Sequence, residues 1–159
     1  MEQKIITTHY QLCNFEELAP ELQRLIETAK AQTQKSYSPY SHYAVGAAVL
    51  MANSQIFAGS NQENAAYPSG LCAERTTMFY ANAQCPDVAI KAIAIASFTN
   101  NDFSDEPVAP CGACRQALLE SETRFGQPMQ VLLHGKKGIY VIDSVKDLLP
   151  FCFTKENLS

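Results

Sequence analysis

Three cysteines and a glutamate carry most of the chemical content of this chain. Cys72-Ala73-Glu74-Arg75 and Pro110-Cys111-Gly112-Ala113-Cys114-Arg115 each stand where a run of helix-favouring residues begins. At a helix N-terminus the unpaired backbone N–H groups and the helix dipole favour negative charge, so thiols placed there ionise readily. Two cysteines separated by two residues can hold one ion between them, and a third from another helix supplies three corners of a tetrahedral zinc site. The fourth corner stays open, because no histidine stands in a closing position. His9 lies in the N-terminal arm, His42 in a turn before the first expected strand and His134 at the end of a later strand, so each reads as a surface or packing residue. An open corner separates a catalytic zinc from a structural one, since water held there is acidified toward neutral pH. Three thiolates outweigh the charge of a divalent cation and weaken that effect; Arg75 and Arg115, each beside a cysteine, and the two helix dipoles are expected to offset it.

Glu74 follows Cys72 by two residues, which places its carboxylate near the ion without forcing it to coordinate, the position of a proton shuttle. Taken alone it would read as a first-turn glutamate answering the helix dipole. Cys13, Cys85 and Cys152 have no partner at chelating spacing and read as small buried apolar residues. A Cys-x-x-Cys at a helix start is also the pattern of thiol redox proteins, and a noncatalytic zinc fold uses similar ligands. The third cysteine, the glutamate beside it and the proline before Cys111 favour a metal over a redox pair.

Positioning these groups requires two helices whose N-termini converge. The chain has 159 residues, 47% hydrophobic and 18% charged, with no repeat or Gly/Ser linker, so residues 1–159 are expected to fold as one domain. Pro20 suits a first helical turn, and Leu22, Leu25, Ile26 and Ala29 recur at helical spacing, predicting a helix over 20–35. Residues 36–41, with Pro39, break it; 43–50 and 55–60 then read as a hairpin around Ala52-Asn53-Ser54. The segment 72–84 favours helix and carries almost no charge beyond Glu74 and Arg75, which predicts a buried helix. The Ile/Ala run 89–98 predicts a central strand covered on both faces, and 99–109 a loop. A helix over 111–123, strands over 129–134 and 138–142 and a short helix over 144–149 complete an α/β chain. The expected architecture is a three-layer α-β-α sandwich around a mixed sheet of five strands.

Sixteen acidic against twelve basic side chains give a net charge of −4, and no groove of alternating basic and aromatic residues is evident, which argues against a polynucleotide partner. No apolar run approaches the ~18 residues of a membrane span. With a polar start (Met1, Glu2, Gln3, Lys4) and six cysteines, too few for a disulfide scaffold, the chain is expected to be soluble and cytoplasmic, with no membrane partner.

Cys-x-Glu followed by Pro-Cys-x-x-Cys is the signature of zinc-dependent deaminases. Over residues 37–158 the chain resembles the cytidine deaminases, in the short homotetrameric form that uses cysteine where others use histidine. The resemblance includes Tyr37-Ser38-Pro39-Tyr40-Ser41-His42-Tyr43, Val45-Gly46-Ala47-Ala48, Asn61-Gln62-Glu63-Asn64-Ala65-Ala66-Tyr67, the run from Cys111 to Gln116, and Leu148-Leu149-Pro150. It implies one zinc per chain on Cys72, Cys111 and Cys114, with Glu74 as the catalytic acid and base. Asn61 and Glu63 would hold the ribose 3′-hydroxyl, the backbone at Ala73 the pyrimidine edge, and Arg75 the ligand thiolates. Tyr67 and Phe153 would act across subunit contacts, with the nearly uncharged helix after Cys72 buried at one of them, in a homotetramer whose sites lie at its interfaces. The implied reaction is hydrolytic deamination of cytidine and 2′-deoxycytidine in pyrimidine salvage; an analogue nucleoside such as blasticidin S is the alternative substrate, and thiol redox chemistry at Cys111 and Cys114 the alternative from another class. Two positions depart from the pattern: Tyr43 replaces the usual phenylalanine stacked on the base, and Gln62 replaces an apolar residue.

Overall fold

The computed structural model describes residues 1–158. Strand β1 (Gln11–Cys13) precedes helix α1 (Pro20–Gln32), which tightens into a 3-10 turn at Thr33–Lys35. The expected hairpin follows as β2 (Ala44–Met51) and β3 (Ile56–Ser60), then come α2 (Ala73–Gln84), β4 (Ile90–Thr99) and the two-residue β5 (Asp102–Phe103). Helix α3 (Gly112–Phe125) leads to a second hairpin, β6 (Gln130–Gly135) and β7 (Gly138–Ile142). The final expected helix is a 3-10 turn, Val145–Leu148; Pro150 stands just beyond it, and a residue before proline avoids the α conformation.

The sheet has seven strands rather than five, in the order β1-β7-β6-β4-β2-β3, with β5 on the end of β4. The two unexpected strands have three and two residues, too short to show an alternation of polarity. A parallel pairing of β4 and β6, joined through α3, sits among antiparallel neighbours, so the sheet is mixed as expected.

Side-chain alternation along β4 assigns the layers. Ala92, Ala94 and Ala96 face the core that holds Leu25, Ile26 and Ala29 of α1, while Ile93 and Ile95 face Met78 of α2 and Leu118 and Leu119 of α3. Small residues on the α1 side let that helix approach closely. At Gly46 of β2 a Cβ would lie 2.1 Å from the carbonyl oxygen of Ala29, so only glycine fits beneath α1. Helices thus cover both faces of the sheet, giving the three-layer sandwich.

Helix α2 departs from the expectation of full burial. It buries Ala73, Glu74, Thr77, Met78 and Ala81 against the sheet, but Phe79 is 49% and Tyr80 55% exposed, because no further layer of the chain lies outside it. No helix among the described residues is long and apolar enough to cross a membrane.

Candidate active site and metal centre

The N-termini of α2 and α3 converge near the end of β4, beside the start of β2, where Ala44 pairs with Phe98. Cys72 and Cys111 each occupy the residue before their helix, with extended backbone (φ −69°, ψ 155° and φ −65°, ψ 163°). Their carbonyls accept the first helical hydrogen bonds, from Thr76 and Arg115 at 3.0 Å each, while their side chains stand at the positive helix ends. Cys114 lies on the first turn of α3 and is fully buried.

The three sulfurs converge. Cys72 Sγ is 3.9 Å from Cys111 Sγ, Cys111 Sγ is 3.5 Å from Cys114 Sγ, and all three lie within 4.8 Å of one another. Around a tetrahedral zinc with bonds of about 2.3 Å, sulfurs stand ~3.8 Å apart, so the trio fits that ion with little adjustment. A third thiol at this distance is what a two-cysteine redox pair does not need, and the donor set fits a metal site.

Charge around the sulfurs is arranged to keep Cys72 ionised. A hydrogen bond from the Cys114 thiol, then one from Arg75 at 3.9 Å, push its pKa down to about 5, against the effect of burial. Cys114 is pushed upward by its hydrogen bond to Cys72, by burial and by the charge of Glu74. Of the two arginines expected to offset the thiolate charge, Arg75 does so. Arg115 points away: its Nε donates to the Pro110 carbonyl (2.8 Å) and its Nη1 to that of Leu148 (2.9 Å), so it braces the ligand loop against the C-terminal segment.

Glu74 is 4% exposed on the first turn of α2. Burial raises its pKa, with the Cys72 charge adding to the effect and its own backbone N–H opposing it. A carboxylate made more basic in this way is suited to take up and return a proton.

Glu74, Cys72 and Cys111 open onto a cavity of about 410 Å³, which Tyr43, Val45, Asn61, Glu63, Ser97, Val108 and Ala109 help to line. Asn61, Glu63 and Cys72 also border an adjoining cavity of about 490 Å³, together with Tyr67 and Arg75. The Asn61 side chain is largely committed within the fold. Its Oδ1 accepts from the Ser36 hydroxyl (2.6 Å) and the Val45 N–H (2.8 Å), and its Nδ2 donates to the Tyr43 carbonyl (2.9 Å), leaving one amide proton for a ligand. Glu63 accepts from the Ser41 hydroxyl and from the N–H groups of Tyr40 (3.0 Å) and Ser41 (3.2 Å), which holds its carboxyl below the usual range.

The remaining expected residues are placed as follows. Ala73 is buried at the first position of α2. Tyr67 is exposed, with its ring 6.1 Å from that of Tyr40. Phe153 is exposed and borders neither cavity; its carbonyl accepts from Gln116 at 2.8 Å. Gln62 bridges Tyr37 and Leu71 through its backbone, and its side chain reaches the Ser60 hydroxyl at 3.1 Å. Among the other cysteines, Cys13 and Cys85 are half-buried, whereas Cys152 is exposed, contrary to its reading as a buried residue. His134 packs edge-on against Phe103 at 5.4 Å, a packing role as expected. Ser97, Val108 and Ala109 were missed as cavity residues: Ser97 reads as sheet and the other two as loop, and their only signal is the nearness of Val108 and Ala109 to Pro110-Cys111.

Comparison with known proteins gives the family. Residues 20–125 match the model of the cytidine and deoxycytidylate deaminase zinc-binding region. The chain is 39% identical over 139 residues to a cytidine deaminase of Sporosarcina psychrophila, covering 87% of this chain and 96% of that one. It is 36% identical over 138 residues to a probable cytidine deaminase of Dictyostelium discoideum, covering 87% of each. The crystal structure of a cytidine deaminase from Burkholderia pseudomallei matches with a TM-score of 0.68 and 41% identity, over 82% of this chain and 97% of that one. With both cysteine-bearing helix ends inside the matched region and the likeness running nearly the full length of these relatives, the chain belongs to the zinc-binding cytidine and deoxycytidylate deaminase family of enzymes.

Proposed function

We propose that this enzyme hydrolyses cytidine and 2′-deoxycytidine to uridine and 2′-deoxyuridine, releasing ammonia, as a step of pyrimidine salvage in the cytoplasm. The observation that carries the reading is one cavity onto which the buried Glu74 carboxyl, two thiols of the cluster, the Tyr43 ring and the Asn61–Glu63 pair all open. Zinc held by Cys72, Cys111 and Cys114, one per chain, supplies an acidified water as the nucleophile when bound. Glu74 takes a proton from the attacking water and returns it to N3 of the ring as the C4–O bond forms. It then accepts the proton of the new C4 hydroxyl and gives it to the amino group, so that the C4–N bond breaks and ammonia leaves. Arg75 steadies the Cys72 thiolate throughout. Tyr43 stacks on the base, while Glu63 accepts and the remaining Asn61 amide proton donates at the ribose 3′-hydroxyl. The Ala73 backbone meets the pyrimidine edge, and residues 1–159 act as one catalytic domain.

Homotetramer formation completes the site in this reading. The exposed Tyr67 and Phe153 rings reach a neighbouring subunit's cavity, and Phe79 and Tyr80 of α2 pack against another chain. The net negative charge supports a free nucleoside over a polynucleotide as substrate.

The test is zinc content of the purified protein measured alongside loss of cytidine absorbance. One zinc per chain, with stoichiometric uridine and ammonia, is the expected result. Zinc without turnover on either nucleoside would redirect the search to analogue substrates, and a metal-free protein with a reducible Cys111–Cys114 bond would overturn the reading.

A further inference from the structure

The loop between β5 and α3 includes Val108 and Ala109, which form part of the cavity wall beside Cys111. Arg115 ties the loop's far end through the Pro110 carbonyl, and the β6–β7 turn supports its middle. The Lys136 and Lys137 N–H groups donate to the carbonyls of Ser104 and Asp105 at 3.0 Å each. Gly135 lies so close beneath that a Cβ there would be 2.6 Å from the Pro107 nitrogen, 2.7 Å from the Asp105 carbonyl oxygen and 2.7 Å from the Glu106 carbonyl carbon. All three are backbone atoms, which cannot swing aside as the end of a side chain can.

Side chains add to the clasp. Lys136 pairs with Asp102 and with Asp105 (2.9 Å), and Lys137 with Glu106 (3.1 Å) and Asp105 (3.6 Å). The Lys136 hydrogen bonds hold the carboxyls of Asp102 and Asp105 below their ordinary range. Phe103 is gripped between Phe98 (5.2 Å between ring centres) and His134 (5.4 Å), with the Lys30 ammonium 5.4 Å from its ring. At the inner end the Ser104 hydroxyl meets that of Ser97 at 2.7 Å, and Ser97 is itself a buried cavity residue.

We propose that the β6–β7 turn, through Gly135 and Lys136-Lys137, positions the Val108–Ala109 wall and thereby sets how tightly the nucleoside is held, although no residue of the turn lines the cavity. The inference rests on this cavity being the substrate site. Because exposed ion pairs contribute little individually, the backbone hydrogen bonds and the close pass at Gly135 carry most of the effect. The wall contacts the substrate equally before and during reaction, so its displacement raises KM and leaves kcat nearly unchanged.

The experiment compares zinc-loaded parent, Gly135→Ala, the pair Lys136→Met with Lys137→Met, and the same pair changed to Arg. Cytidine kinetics and amide hydrogen exchange across residues 104–110 are read together. Gly135→Ala is expected to raise KM about tenfold and the Met pair about threefold, each with kcat within about twofold of the parent, while the Arg pair restores KM. Exchange at 104–110 should quicken in the first two variants. Unchanged KM in the folded, zinc-loaded variants, or equal losses of kcat and kcat/KM, would overturn the proposal. Should Gly135→Ala fail to fold, the Met and Arg pairs decide. Should the parent turn over no cytidine, the assigned function fails, and unchanged exchange at 104–110 would still remove the clasp.

Discussion

Glu74 and Cys111 stand at the same cluster yet answer to different physics. The Glu74 carboxyl is buried and made more basic by its surroundings, so under the proposed reaction an amide of the same shape removes proton transfer and little else. Glu74→Gln is expected to keep its zinc and its thermal midpoint while kcat falls by about 10³-fold, the usual scale for general acid–base catalysis. Cys111→Ala instead removes a donor atom. Zinc content should collapse together with the thermal midpoint, since metal affinity and fold stability are linked. Elemental analysis of the two variants separates the roles: unchanged zinc in Cys111→Ala would exclude that thiol from the ligand set, and turnover within tenfold of the parent in Glu74→Gln would exclude the shuttle.

Elements are held in place by groups that carry no chemistry. Glu122 on α3 is buried, and its carboxylate accepts from the Met129 N–H (2.9 Å), the Val145 N–H (2.8 Å) and the Ser144 hydroxyl (2.7 Å). It thus joins α3, which carries Cys114 and begins directly after Cys111, to the entry of β6 and to the turn after β7. Glu122→Ala leaves two buried backbone donors unpaired and is expected to cost about 3 kcal/mol, read as a lower urea midpoint with KM unchanged. In the sequence Glu122 is one more polar residue on a helix, because the loops it ties down come to it only in three dimensions. Expected and observed boundaries agree closely where hydrophobic spacing is long, as in α1 and β4, and part where it is short, as in β1 and β5.

At the scale of the whole molecule, large aromatic side chains remain exposed. Phe79 and Tyr80 on the outer side of α2 are exposed, as are Tyr67 and Phe153, and exposed aromatic area of this kind marks a candidate protein contact. If four chains assemble, Phe79→Glu should shift the particle to lower mass in light scattering and reduce turnover, with zinc content preserved; an unchanged mass would place the contact elsewhere. Helix α2 shows where composition reaches its limit at this scale. Its few charges signalled burial, and burial within the chain accounts for only one of its sides, the other being left exposed at Phe79 and Tyr80.

The thiol cluster, the place of Glu74 beside it and the layer order were legible because each draws on near neighbours along the chain: two residues between Cys111 and Cys114, one between Cys72 and Glu74, alternating Ile and Ala in β4. The same local logic misassigned Arg115, whose place beside a cysteine in sequence says nothing of the carbonyls at Pro110 and Leu148 that capture its guanidinium. Cavity walls at Ser97, Val108 and Ala109, the clasp under Gly135 and the brace at Glu122 depend on contacts between segments tens of residues apart. Such contacts arise only when the sheet order is set, since strand pairing decides which loops share an edge, and no periodicity in the sequence encodes it.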